Sequence, residues 1–97
     1  MENRYAIYEE YDGRQRFPIN IRLPKKIVEA MSLRDAVNAF SLSHNLEIVR
    51  YAELPEDDVR VWFRRTNLLG QSSNFGYYFR MLKYGELSEE KDPFPDK

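Results

Sequence analysis

The chain has 97 residues, 42% hydrophobic and 32% charged, with a formal net charge of −1, which fits one soluble, globular domain with a single core. Near-neutrality excludes a uniformly basic nucleic-acid binder and a strongly acidic nucleic-acid mimic. The lack of cysteine excludes a disulfide scaffold, a thiolate metal site and a thiol nucleophile.

The first ten residues carry acids within an otherwise strand-like stretch, with no signal-peptide core, so a cytoplasmic location is the default. No apolar run nears the roughly 20 residues that span a bilayer, and no membrane partner is expected. Tyr5 and Ile7 share one parity, with Tyr11 as a candidate third member, and Tyr8 takes the other, which reads as a strand. Asp12-Gly13 is a turn signal. Phe17, Ile19, Ile21 and Leu23 alternate next, which predicts the second strand of a hairpin with Pro18 at its entrance. Pro24-Lys25-Lys26 turns the chain, and Ile27 to Ala30 is either a brief strand or a distorted helical turn.

Ser32 and Asp35 have the spacing of a capping box, with the acid in the positive first turn of a helix. Leu33, Ala36, Val37, Phe40 and His44 then form an apolar stripe at helical spacing, and the helix should end near His44-Asn45. Leu46 to Tyr51 reads as a strand of open parity, because Leu46 and Ile48 compete with Val49 and Tyr51 for the core. After a polar turn at 54–58, Val59 to Arg65 is a well-patterned strand. Val59, Val61 and Phe63 face the core, and Arg60, Trp62 and Arg64 face away. Residues 67–74 read as a loop. Residues 75–85 fit a helix or a strand, and their aromatic content and bounding glycines favour the strand. Residues 86–97, rich in acids and containing two prolines, read as a flexible tail on a single domain of residues 1–85.

The order β-β-α-β-β with a final strand predicts an α+β fold: a twisted, mainly antiparallel sheet of four to five strands on one main helix. Arrangements resembling the β-grasp or a split βαβ unit are both compatible.

The near-zero charge is a sum over unlike segments. Residues 1–58 and 86–97 are each net acidic, whereas 59–85 hold Arg60, Arg64, Arg65, Arg80 and Lys83 with no acid. Half of the fourteen aromatic residues also fall in that middle block. Arg60, Trp62, Arg64, Tyr78, Arg80 and Tyr84 are therefore the candidate partner-binding residues. Arginine offers a planar fork to carboxylate or phosphate, and exposed rings anchor interfaces or stack on bases. A plainer role is also open to them, as the solvated side of a sheet paired with acids from the first hairpin or covered by the acidic tail.

The expected function is a non-enzymatic protein-binding module, regulatory or inhibitory, with a heteromeric partner or a second copy. An RNA- or single-strand-binding protein using the same face is the alternative. No catalytic residue, metal site or cofactor is expected. His44 is the single histidine and sits where a helix end explains it. Adjacent acids at Glu9-Glu10 and 56–58 point apart along an extended chain, and the lone Gly70 lacks the spacing of a phosphate loop.

Overall fold

The computed structural model describes residues 2–54, 58–83 and 85–86. Five strands and one helix follow in the order β1 (Asn3–Tyr11), β2 (Lys26–Ala30), α1 (Leu33–Ser43), β3 (Glu47–Leu54), β4 (Asp58–Thr66) and β5 (Ser72–Met81). The strands make one sheet in the order β2-β1-β5-β4-β3, antiparallel at every pairing. The fold is α+β, as the element pattern predicts. The strands β2 and β3 run in the same direction at opposite edges, and α1 joins them across one face: a split βαβ connection.

The helix forms where its local signals place it. Ser32 holds an extended backbone, and its hydroxyl accepts the Asp35 amide at 3.1 Å. At the other end the His44 amide donates to Phe40 O. Ala36, Val37 and Phe40 bury the stripe against Tyr5 and Ile7 of β1, Val59, Val61 and Phe63 of β4, and Tyr77 and Phe79 of β5. Phe40 lies at the centre, with its ring 4.8 Å from Tyr77, 5.6 Å from Phe79 and 5.7 Å from Phe63.

Two bulges explain why parity is ambiguous in β1 and β3. The β3–β4 register shifts between Ile48 and Arg50, so Ile48 and Tyr51 both pack on the core although their parities differ. A second shift between Glu9 and Tyr11 turns Tyr11 away from Tyr5 and Ile7, and its ring meets Trp62 on the opposite face.

The predicted strand at Phe17 to Leu23 is overturned. The strand paired with β1 is Lys26–Ala30 instead, the segment whose identity the sequence leaves open. Phe17 N–H donates to Glu10 O at 2.9 Å and Lys25 N–H to Ile7 O at 2.8 Å. Between those contacts β1 advances three residues and this segment eight, so the excess chain must loop out. Pro18 and Pro24 have no N–H to give a ladder. Asn20 builds a local turn by accepting the Arg22 and Leu23 amides. The alternating apolar residues serve another purpose: Ile19 packs on a second small core of Ala6, Tyr8 and Leu82, on the sheet face away from the helix. Ile21 and Leu23 remain exposed.

Tyr8 fastens this cover, its hydroxyl donating to Ile21 O at 2.7 Å. Tyr8→Phe is expected to cost about 0.5–1.5 kcal/mol in urea denaturation, with amide exchange rising first in residues 19–23.

The loop predicted over 67–74 is shorter. Ser72, Ser73 and Asn74 belong to β5, paired with Thr66, Arg65 and Arg64. Asn67 closes the five-residue tip by accepting the Leu69 and Gln71 amides, which leaves Leu68 and Leu69 projecting into solvent. The aromatic segment is a strand as far as Met81. The predicted flexible tail beyond Glu86 lies outside the described residues.

Candidate binding face

Among the described residues, the sheet has one face under α1 and a second that is only half covered. Residues 17–25 lie over the β1 side of the second face, against Ala6 and Tyr8. Its β5–β4–β3 side carries Tyr78, Arg80, Arg60, Trp62, Arg64 and Arg50 by cross-strand register. Five of the six residues nominated from the sequence thus share one face. Tyr84, the sixth, lies outside the described residues.

The positive charge on this face is largely matched within the chain. Arg60 makes a two-pronged contact with Glu10, at 2.6 and 3.2 Å. Arg64 meets Glu47 at 3.1 Å. Arg80 meets Glu86 at 2.8 Å and donates to the Tyr8 hydroxyl at 3.4 Å. The Glu10 hydrogen bond holds the Arg60 guanidinium above its ordinary value. Arg65 turns aside to donate to His44 O at 2.8 Å, its guanidinium over the Phe75 ring. The plainer alternative thus fits Arg60, paired with an acid near the first turn, and Arg80, paired with Glu86; Arg64 pairs instead with Glu47 of β3.

Two arginines outside the nominated set behave differently. Arg16 and Arg50 have no carboxylate partner among the described residues, and both line an open depression of about 360 Å³ with Tyr11, Val49, Trp62 and Asn74. The Arg16 guanidinium lies 5.6 Å from the Tyr11 ring centre. Tyr11 approaches Trp62 edge-on, their centroids 6.0 Å apart. The β3 bulge places Arg50 opposite Trp62, with half-exposed Val49 beside it. The depression can accept an anionic group between two guanidiniums and a flat apolar group against Trp62.

Trp62 lies flat because its cross-strand neighbour is Gly76. A methyl group at residue 76 would stand 2.6 Å from Trp62 Cζ3 and 3.0 Å from Cε3 and Cη2. Glycine inside a strand marks such a close approach. The sequence shows Gly76 only as a boundary of an aromatic segment; its role depends on which strand lies beside it. The parity conflict at Leu46 to Tyr51 was the one local trace of the bulge that presents Arg50.

Two tyrosines flank the site from opposite faces. Tyr78 donates to Asp58 Oδ2 at 2.5 Å, and burial together with that carboxylate pushes its phenol up to about 12. Tyr77, beneath the helix, donates to Glu9 at 3.4 Å and is likewise raised to about 12, chiefly by burial. Folding favours both neutral phenols over an ordinary value of 10.0. Their contribution to stability is therefore complete below about pH 10 and is lost as pH rises towards about 12. The urea midpoint is expected to be insensitive to these groups up to about pH 10 and to fall above it, less steeply in Tyr78→Phe.

The remaining polar candidates have structural partners. The His44 ring packs on Phe40 at 4.2 Å, with Nδ1 near Ser43 Oγ and Phe40 O. Glu9 pairs with Lys25, Glu10 with Arg60, and Asp12 accepts the Arg14 and Gln15 amides of its own turn. Those amides hold the Asp12 carboxyl below its ordinary value. Among the described residues no three histidine or acidic side chains gather as a metal cage, and no helix is long and apolar enough to cross a membrane.

Compared with known proteins, the chain matches no family model, no curated protein and no solved structure.

Proposed function

We propose that the chain is a small non-enzymatic binding module, regulatory or inhibitory, that holds a cytoplasmic protein partner on the open half of its sheet. The supporting observation is the depression around Trp62, where Arg16 and Arg50 lack acidic partners among the described residues while Arg60, Arg64 and Arg80 have them. Arginine beside tryptophan and tyrosine is the combination of residue types enriched at interface hot spots. The favoured partner surface offers an acidic side chain next to an apolar one.

Affinity capture from the native source under nuclease treatment tests the site, with wild type beside Trp62→Ala and Arg50→Gln. A protein retained by wild type and lost from both folded variants supports it; equal retention by all three overturns it. A second copy of the chain is the other protein partner this face suits, and sedimentation at several concentrations reads it directly.

Single-stranded nucleic acid is the second reading, because rings and arginines also serve bases and phosphates. The intramolecular ion pairs count against it, since they leave few cations to release counterions along a backbone. Titration with labelled oligonucleotides at two salt concentrations decides: no binding at low salt removes this reading.

A further inference from the structure

Glu86 is seated on the open face. Its carboxylate meets Arg80 Nη1 at 2.8 Å, and its carbonyl accepts from Arg4 Nη1 at 3.2 Å. Arg80 stands opposite Asp58, four residues from Trp62 along β4, a path of about 13 Å at strand rise. The sequence continues from Glu86 through Glu89, Glu90, Asp92 and Asp96, with two lysines and a single ring, Phe94, between Pro93 and Pro95. Phe94 lies eight residue steps beyond Glu86, an extended reach of about 26–29 Å, roughly twice the path required. The acids complement Arg16 and Arg50, and the ring complements Trp62.

Building on the reading of the depression as a binding site, we propose that the acidic segment 87–97 is its intramolecular ligand and competes with the outside partner. Flanking prolines reduce the freedom that Phe94 loses on binding. A short tether supplies an effective concentration on the order of millimolar. A segment with only millimolar intrinsic affinity is then bound about half of the time, and an outside partner must displace it. The module's apparent affinity is set by this competition.

Trp62, the single tryptophan, reports occupancy in the full chain. Phe94→Ala and the double variant Asp92→Asn/Asp96→Asn are each expected to shift its emission to the red. Acrylamide quenching should rise by about twofold in both, the change expected on emptying a half-occupied site, with no dependence on protein concentration. A synthetic peptide of residues 87–97, added at millimolar concentration to the Phe94→Ala chain, is expected to restore the wild-type spectrum. It should fail to do so when Arg50→Gln is also present. Emission and quenching unchanged in both variants overturn the proposal. A difference that grows with protein concentration also overturns it, in favour of a segment donated by a second copy. The two readings fail separately. If partner capture needs Trp62 and Arg50 while Phe94→Ala leaves Trp62 unchanged, the site stands and its internal ligand falls. If the peptide docks and no protein is captured through this face, the internal ligand stands and the partner reading falls.

Discussion

Phe40→Ala is expected to lower stability by about 3–5 kcal/mol, a large part of the roughly 5–15 kcal/mol that holds such a domain folded. Phe40 is 1% exposed and touches the rings of His44 at the helix C-cap, Phe63 of β4, and Tyr77 and Phe79 of β5 at once. Its removal leaves a cavity walled by Phe63, Tyr77 and Phe79, which are held in strand register and cannot all move inward. The helix also loses its largest anchor, and an eleven-residue helix is marginal without tertiary packing. Urea denaturation followed by far-ultraviolet circular dichroism measures the cost. Phe40→Leu keeps part of the volume and should cost about half as much or less. A loss below about 1.5 kcal/mol for Phe40→Ala would show that the helix is not held through this residue.

Gly76→Ala is expected to cost about 1–3 kcal/mol by overpacking, because the new methyl group occupies the space of the Trp62 benzo ring. The indole must lift from the sheet, opening the depression and separating Trp62 from Tyr11. Trp62 emission should shift to the red and partner capture should fall. The decisive measurement is a double-mutant cycle. In a Trp62→Ala background the three closest contacts of the methyl are gone, and Gly76→Ala should be neutral or slightly stabilising through its reduced unfolded-state freedom. An equal cost in both backgrounds would place the strain elsewhere in the β4–β5 pair.

What was legible beforehand was local. Ser32 and Asp35 are three residues apart, and the Leu33 to His44 stripe needs only helical periodicity, so cap and helix followed directly. The parity of Val59 to Arg65 also held, because β4 has no bulge to interrupt it. Features that depend on a neighbouring strand were not legible. Glu10 meets Arg60 across fifty residues of sequence, so the neutralisation of the basic block appears only once the strand order is known. The bulges at Glu9/Tyr11 and Ile48/Arg50 reverse parity near the end of β1 and the start of β3, and they bring Tyr11 and Arg50 to Trp62. Phe17 to Leu23 alternates like a strand, yet alternation records only where apolar side chains point. It does not supply the N–H groups that two prolines withhold.

The placement of β5 bears on how the molecule is made. Among the described residues its central strand comes last in chain order, and it pairs with the first: Tyr5 lies opposite Met81. Without β5, β1 with β2 and β3 with β4 are two separate strand pairs, each with an unpaired inner edge. Closure must bring together segments more than seventy residues apart, a non-local step of the kind that slows folding and leaves strand edges open to wrong pairing in the interval. Cooperative order of the sheet therefore waits on β5, and removing that strand should abolish the whole sheet rather than trim its margin.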